Sequence, residues 1–180
     1  RYNTIIIGGG PAGYTAALYA ARAGLSVLIL EMLSPGGQMA TTTEIDNYPG
    51  FEETVDGFDL AQKMKAGAER FGAESEFAEV TELDLKSTVK IIRATSGDYE
   101  ADTVILATGA APRELGIEHE GALRGRGVSY CATCDGMMYR NKTVIVVGGG
   151  NTAAEDALYL SKLCKKVYIV HRRDKLRASA

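Results

Sequence analysis

The apolar and polar positions in the first 31 residues predict a strand, a turn, a helix and a second strand. An apolar, β-branched run at 2–7 indicates a strand, and glycines follow it directly. The alanine-rich stretch up to Arg22 is typical of a helix, Gly24 interrupts it, and 26–30 is predicted as the next strand. Such alternation of strand and helix favours an α/β fold.

The middle of the chain is predicted to hold one helix and three strands. Apolar residues recur at helical spacing after Asp56, a candidate N-cap, as far as Phe71. Strands are predicted at 74–84, 89–95 and 99–107, the first from its alternation and the last with a buried apolar run at its end. The remaining segments, 34–38 and 41–51, lack periodicity and are predicted to be loops, where ligands bind in such sheets.

The turn after the first strand has the spacing of a dinucleotide-binding motif. Its sequence is Gly8-Gly9-Gly10-Pro11-Ala12-Gly13, in which Gly8, Gly10 and Gly13 form GxGxxG. The glycines allow a tight turn, close approach of a pyrophosphate and close helix packing, and the helix N-terminus offers free N–H groups. Glu31, 18 residues beyond Gly13, is placed to accept hydrogen bonds from ribose hydroxyls, although a solvated charge at a strand end would explain it too.

The same pattern recurs 140 positions later. The second motif is Gly148-Gly149-Gly150-Asn151-Thr152-Ala153, in which Gly148, Gly150 and Ala153 correspond to the three glycines of the first motif. His171 corresponds to Glu31. A strand at 143–147 and a helix up to Lys162 flank the second motif. Identities at this offset join six further pairs: Ile5/Ile145, Ala17/Ala157, Leu18/Leu158, Tyr19/Tyr159, Val27/Val167 and Ile29/Ile169. The repeat predicts two dinucleotide-binding units in tandem.

The two copies differ at the end of their second strands. The first has Glu31, whereas the second has His171-Arg172-Arg173, followed by Arg177. A carboxylate suits free ribose hydroxyls, and arginines pair with an adenosine 2′-phosphate. The second unit is therefore expected to prefer NADPH, unless these arginines belong only to a solvated basic face.

A change in composition separates the two units. Between 110 and 127 the chain is rich in glycine and mixed charge, which indicates a linker and predicts domains at 1–112 and 113–180. Just before it, Ala107-Thr108-Gly109 ends the preceding strand in small residues. These permit close approach of a ligand, or of neighbouring backbone.

Charge and hydropathy exclude several classes of function. The 180 residues carry a formal charge of −3, which disfavours a nucleic-acid-binding protein. No apolar run is long enough to span a membrane, and the N-terminal residues lack signal-peptide order, so no membrane association and a cytoplasmic location are expected. The first residue is arginine, which indicates that the start is trimmed.

Cys131 and Cys134 form a CxxC pair ahead of the second glycine motif. Such pairs support thiol–disulfide exchange. Half of a zinc site, an inert disulfide and a thioredoxin-type fold are alternatives; the two histidines of the chain make a zinc shell hard to complete. Asp135 follows directly, as a proton donor and acceptor or as a plain turn residue. Cys164 is expected to be a small buried residue.

Together these motifs resemble those of the low-molecular-weight, bacterial-type thioredoxin reductases. The resemblance spans essentially the whole chain and rests on the motifs at 8–13, 36–38 (Gly-Gly-Gln), 107–109, 131–135, 148–153 and 171–173. It implies α/β architecture with two Rossmann-like, glutathione-reductase-type units, the first binding FAD and the second NADPH. It also implies flavin contacts at Gly36, Gly37, Gln38 and Asn47, and a homodimer.

The resemblance further implies a mechanism. Hydride passes from NADPH to FAD, the flavin reduces the Cys131–Cys134 disulfide, and the dithiol reduces thioredoxin. Cys134 would face the flavin, Cys131 would attack thioredoxin, and Asp135 would act as acid and base. Because the cysteines and the nicotinamide need the same flavin face in turn, the second domain would rotate about its linkers.

One departure and two alternative functions remain. Members of the family complete the second domain and then return to the first, so the second unit is expected to be truncated, with an open FAD pocket and an unpaired sheet edge. A related flavoprotein disulfide reductase, serving a peroxidase system or using another electron donor, is the alternative enzyme. A non-catalytic nucleotide-binding or redox-sensing module is the alternative of a different class.

Overall fold

The computed structural model describes residues 1–179, and the chain divides into two compact units, Arg1–Ala110 and Ala111–Ala180. In the first unit the elements are β1 (Tyr2–Ile7), α1 (Pro11–Arg22), β2 (Val27–Glu31), a 3-10 helix (Gly37–Thr41), α2 (Gly57–Glu69), β3 (Glu74–Phe77), β4 (Val80–Asp84), β5 (Lys90–Ala94) and β6 (Gly97–Leu106). In the second they are α3 (Ala132–Asp135), a 3-10 helix (Gly136–Tyr139), β7 (Thr143–Val147), α4 (Asn151–Ser161) and β8 (Lys166–Val170).

The first unit is built on a six-stranded sheet of order β3-β2-β1-β6-β5-β4. β3, β2, β1 and β6 run parallel, whereas β5 and β4 are antiparallel to their neighbours. Parallel strands joined by a helix confirm the predicted α/β class. Their carboxyl ends meet at one edge, which is where the glycine turn after β1 lies.

Alternate residues of β1 and β2 are buried on opposite faces of this sheet. Ile6 and Ile29 pack with Tyr14 and other residues of the helical side. Ile5 and Leu28 instead share a cluster with Ile92 of β5. β6 links β1 to β5 in the sheet: it is ten residues long, and its Ala101 pairs with both Tyr2 of β1 and Lys90 of β5. Both faces of the parallel strands are therefore covered, as their continuous apolar sequences require.

The predicted helix over 56–71 is confirmed in type and close in extent. Asp56 is the N-cap of α2, and its carboxylate accepts hydrogen bonds from the N–H groups of Phe58 and Asp59 at 2.9 and 3.1 Å. These contacts satisfy two N–H groups that have no partner within the helix. The predicted loops at 34–38 and 41–51 differ in part, because Gly37–Thr41 forms a 3-10 helix.

The single strand predicted over 74–84 is wrong. β3 and β4 occupy opposite ends of the strand order, and the chain leaves the parallel strands at Ala78, whose N–H donates to the Glu31 carbonyl at 2.9 Å. Alternation of apolar residues does not reveal such a break. The buried run predicted at the end of β6 is also wrong: Leu106 is 60% exposed, because β5 accompanies β6 only as far as Ala101.

The second unit repeats the strand, glycine turn, helix and strand of the first. β7 and β8 pair in parallel, with Val144 opposite Val167, and Ala157 and Leu160 of α4 are buried. Its sheet has two strands within the described residues. In residues 1–179 no helix combines the length and apolar character that a membrane crossing demands.

Candidate functional site

The first glycine turn depends on two glycines for its shape. A Cβ at Gly13 would lie 1.9 Å from the Gly8 carbonyl oxygen, and one at Gly8, where φ is +106°, would lie 2.3 Å from the Ala107 oxygen. Neither position can carry a side chain without moving backbone. At Gly10, which precedes the first turn of α1, a Cβ would meet nothing within 4 Å. The turn is thus closed on the sheet side and open at Gly10, as close approach of a pyrophosphate requires.

Two distant segments lie against this turn. The Gly36 N–H donates to the Gly9 carbonyl at 2.7 Å, and the Cβ position of Gly37 is 3.8 Å from the Gly10 Cα. On the other side, Thr108 Cα is 3.2 Å from the Cβ position of Gly8. The fold therefore brings the 36–37 and 107–108 motifs together around the glycines.

Glu31 also reaches the turn, through its carboxylate. One oxygen accepts the Gly9 N–H at 2.6 Å and the other accepts the Leu33 N–H at 3.1 Å. The side chain is half-buried at the end of β2. Its bond to a ribose stays a prediction, and the structure shows the carboxylate bound to the glycine turn at the end of β2.

The other predicted residues of the first unit are more peripheral. Pro11 occupies the first turn of α1, Ala12 is exposed beside it, and Gly109 is exposed with φ of +69°. Gln38 is exposed, and its carbonyl accepts the Thr41 hydroxyl. Asn47 lies in the exposed loop between the bridged residues Ile45 and Val55, and its side chain has no hydrogen bond to another described residue. Contacts of Gln38 and Asn47 with a flavin remain predictions.

The second turn has a similar shape. Gly148 has φ of +152°, and a Cβ at Gly150 would meet nothing within 4 Å. The methyl group of Ala153 replaces the third glycine and would lie 2.8 Å from a Cβ at Gly148. The chain after β8 returns to this turn, since the N–H groups of Arg177 and Ala178 donate to the Gly149 carbonyl at 2.6 and 3.0 Å.

The predicted side chains of the second turn are arranged around it. The imidazole of His171 lies against Gly149, and its Nε2 is buried without a hydrogen-bond partner among the described residues. Asn151 accepts hydrogen bonds from the backbone and hydroxyl of Ser179. The other four predicted side chains, Thr152, Arg172, Arg173 and Arg177, are exposed, and no described carboxylate forms an ion pair with the three arginines.

Cys131 and Cys134 form a disulfide with a Cα separation of 5.3 Å. Cys131 is the N-cap of α3, and its sulfur accepts the Cys134 N–H at 3.2 Å. Because the two sulfurs are bonded to each other, neither is a thiolate that could bind a metal, which argues against the zinc alternative. Cys131 is half-buried and Cys134 is exposed. Cys164 is half-buried and donates to the Tyr139 carbonyl at 3.2 Å, as a packing residue can.

Asp135 is held beside the disulfide by a serine that the sequence analysis missed. The Ser129 hydroxyl donates to the Asp135 carboxylate at 2.6 Å and accepts the Cys131 N–H at 3.1 Å. A hydroxyl can make both bonds at once, because it has one proton and two lone pairs. Ser129 thereby fixes the carboxylate relative to the cysteine segment. Its position two residues before Cys131 is the only sequence signal for it.

Comparison with known proteins identifies related sequences and structures. The family model described as pyridine nucleotide-disulphide oxidoreductase matches residues 2–180. A thioredoxin reductase of Listeria monocytogenes is 52% identical over 98% of this chain and 55% of its own length. The crystal structure of thioredoxin reductase from Streptococcus pyogenes is 50% identical with a TM-score of 0.87, covering 99% of this chain and 58% of that one.

A thioredoxin reductase from Giardia duodenalis superimposes with a TM-score of 0.91 at 42% identity, again over 99% of this chain and 58% of that one. The chain thus spans little more than half the length of the relatives it matches. The resemblance to thioredoxin reductases predicted from the motifs is confirmed.

Proposed function

The chain belongs to the pyridine nucleotide-disulphide oxidoreductase family, and from that premise we propose that it serves NADPH-dependent reduction of oxidised thioredoxin through FAD and the Cys131–Cys134 disulfide. The observation that carries the proposal is this disulfide, which lies in the second unit and is followed by a 3-10 helix, β7 and the second glycine turn. An enzyme that reduces a protein disulfide needs a dithiol, and two nucleotide sites supply a route by which electrons reach it.

The residues of the first unit fit FAD. Its glycine turn is open at Gly10, and the carboxylate of Glu31 lies on the same turn. Gly8, Gly10 and Gly13 would hold the pyrophosphate with the N-terminus of α1, and Glu31 would hold the ribose. Gly36 and Gly37 border the same opening.

The residues of the second unit fit NADPH. Gly148, Gly150 and the first turn of α4 would hold the pyrophosphate, and exposed Arg172, Arg173 and Arg177 would pair with the 2′-phosphate. When bound, the two cofactors supply hydride and electron transfer that delivers two electrons to the disulfide.

The chain's own residues would then complete the reaction by thiol–disulfide exchange. The Cys131 thiolate attacks one sulfur of the oxidised thioredoxin, forming a mixed disulfide and releasing one thioredoxin thiolate. Cys134, the cysteine proposed to face the flavin, attacks Cys131 next, which restores the protein disulfide and releases the second thiolate. Asp135, held by Ser129, would pass protons to the departing thiolates.

This function also defines the surroundings that we propose for the protein. Thioredoxin is the proposed partner, because relatives about half identical to this chain are thioredoxin reductases. A dithiol of this kind is kept in use in a reducing compartment, and the cytoplasm is the proposed one. A homodimer and rotation of the second domain about its linkers are carried from the same resemblance. The two predicted domains, 1–112 and 113–180, remain the proposed functional division.

The test is to follow flavin absorbance in the purified protein. NADPH should bleach the flavin, and oxidised thioredoxin should restore it. Cys131→Ser and Cys134→Ser should each abolish thioredoxin reduction while NADPH still bleaches the flavin. Cys164→Ser is the matched control and should keep both reactions.

Three results would overturn the proposal. Full thioredoxin reduction by either active-cysteine variant would remove the disulfide from the mechanism. A flavin bleached by reduced ferredoxin but not by NADPH would identify the alternative enzyme that uses another electron donor. A protein that binds nucleotides but bleaches with neither donor would be the non-catalytic module.

A further inference from the structure

Glu120 is the only buried charged side chain in residues 1–179, with 6% of its surface exposed. It lies in the segment before the cysteine pair and belongs to none of the nucleotide motifs. Burial of an uncompensated carboxylate is unfavourable, so its hydrogen-bond partners indicate what it does.

Four donors surround the Glu120 carboxylate. One oxygen accepts the Leu115 N–H at 2.8 Å and the Tyr130 hydroxyl at 2.5 Å. The other accepts the N–H groups of Gly116 and Ile117 at 2.7 and 3.3 Å. These bonds lower the pKa of Glu120, the one from Tyr130 most of all. The carboxylate therefore ties three successive backbone amides to one phenol.

Tyr130 connects this arrangement to the disulfide, because it is the residue before Cys131. The two residues that flank Tyr130 are linked to each other, because the Ser129 hydroxyl accepts the Cys131 N–H. The same hydroxyl donates to the Asp135 carboxylate. Two consecutive residues ahead of Cys131 are thus anchored by different partners. Arg124 lies over the Tyr130 ring, 5.1 Å from its centroid, and adds a third contact.

We infer that Glu120 is a positioning residue for the redox pair and acts through the Tyr130 hydroxyl. The anchored segment holds Cys131 at the N-cap of α3, where its sulfur accepts the Cys134 N–H. A thiolate gains more from this N–H than a neutral disulfide sulfur does, so the arrangement favours the reduced pair. This inference rests on the proposed function, in which the pair cycles between disulfide and dithiol.

The experiment equilibrates the purified protein with mixtures of reduced and oxidised dithiothreitol. Each reduction breaks the Cys131–Cys134 bond with two electrons and two protons from dithiothreitol, which closes to its cyclic disulfide. The dithiol fraction is then trapped by alkylation and measured by mass. This readout needs neither bound cofactor nor thioredoxin.

Glu120→Gln and Tyr130→Phe should each lower the equilibrium constant for dithiol formation by roughly threefold or more. The double variant should show about the same loss as either single variant, because the two groups act through one bond. Matched controls are Glu118→Gln, an exposed carboxylate nearby, and Tyr139→Phe, a tyrosine after the pair. Both controls should keep the wild-type constant.

Unchanged constants in both test variants would overturn the inference, even if the melting temperature falls, because Glu120 would then only stabilise the loop. A loss in Glu120→Gln without one in Tyr130→Phe would also overturn it, since the effect would not pass through the hydroxyl. A wild-type pair that does not cycle with dithiothreitol would overturn the proposed function as well, and is recognised without any variant.

Discussion

The imidazole of His171 lies directly against Gly149, so that a Cβ at this glycine would stand 2.5 Å from both Cε1 and Nδ1 of the ring. Gly149 is the middle residue of the second glycine run, between the two motif positions. The strand-end residue therefore requires a glycine that the GxGxxG pattern does not specify.

In the first unit the corresponding side chain also lies against the middle glycine of the turn, but it is a carboxylate that forms a hydrogen bond. Glu31 corresponds to His171, and a Cβ at Gly9 would lie 3.1 Å from its Cβ and from its Oε2. Here the Gly9 N–H donates to the carboxylate at 2.6 Å. In both units a side chain at the end of the second strand, or directly after it, thus lies against the glycine turn.

Gly149→Ala should destabilise the second unit by about 1–3 kcal/mol, because the new methyl group overlaps the His171 ring. In a His171→Ala background the same substitution should cost less than about 1 kcal/mol, since the overlapping ring is gone. Urea unfolding of the four proteins measures both values.

Gly150→Ala is the matched control, since its Cβ would meet nothing within 4 Å. It should leave the urea midpoint close to that of the wild type. An equal loss of stability in Gly149→Ala with and without His171 would show that the ring does not cause it.

Gly13→Ala should destabilise the first unit by more than about 3 kcal/mol and reduce flavin content. The reason is backbone overlap, because the new methyl group would lie 1.9 Å from the Gly8 oxygen and neither group is at the end of a flexible side chain. Flavin absorbance per protein and the urea midpoint give the two measurements.

Gly67→Ala provides the opposite expectation in the same unit. Gly67 lies within α2, and its Cβ would meet nothing within 4 Å. Alanine should raise the stability by about 0.5–1 kcal/mol, because glycine is a poor helix former. A Gly13→Ala protein as stable and as yellow as Gly67→Ala would contradict the geometry of the turn.

Replacing Arg172, Arg173 or Arg177 by glutamine should weaken NADPH binding by about 10-fold or more and leave NADH binding unchanged. The 2′-phosphate is the only difference between the two nucleotides, so loss of a paired guanidinium affects one of them. Nucleotide titrations monitored by fluorescence measure both dissociation constants.

Lys175→Gln removes a neighbouring exposed cation and should change NADPH and NADH binding little. If all four variants weakened NADPH binding equally, the arginines would act as a general basic surface. A wild-type protein without preference for NADPH would also reject their assignment.

The stability contributed by Glu120 should depend on pH. Its pKa is lowered from the ordinary value of 4.5, first by the Tyr130 hydroxyl and then by backbone N–H groups. The pKa of Tyr130 is raised, first by its hydrogen bond to Glu120; nearby Glu114 also raises this pKa, and Arg124 lowers it. A lowered carboxyl pKa means that the contribution is complete above about 4.5 and is lost as the pH falls through the pKa of the folded protein.

The difference in unfolding free energy between wild type and Glu120→Gln should therefore be constant from about pH 7 to pH 5 and shrink below about pH 4. Tyr130 remains a donor throughout, because its pKa is raised to about 12. Urea unfolding at several pH values measures the difference, and Glu118→Gln is the control. A difference that grows on acidification would have the wrong sign.

Much of the fold and site was predictable because the signals are local. Glycines at 8, 10 and 13 and their counterparts 140 residues later predict two turns that the structure contains. The N-cap at Asp56 was predictable for the same reason, because its side chain bonds to the N–H groups of Phe58 and Asp59 close by in the chain. The alternation of apolar and polar residues wrongly predicted one continuous strand through Ala78. The chain passes there from one end of the sheet to the other, and no residue type marks the change.

Polar contacts within the irregular segment around Glu120 and Ser129 were not predictable, although their partners lie only 3 to 10 residues away in the chain. Glu120 resembles other carboxylates in the sequence, and only the path of the loop places it under three backbone amides and Tyr130. Ser129 likewise became informative once Asp135 was found 2.6 Å away.

By itself the sequence determined the family, the two glycine turns and the position of the cysteine pair, because tight turns and CxxC chemistry depend on residues that are neighbours in the chain. Only the tertiary structure decided that β3 and β4 separate, that His171 covers Gly149, and that Glu120 is buried. The physical reason is that burial and side-chain partners follow from where the chain runs in space, which no short stretch of residues specifies.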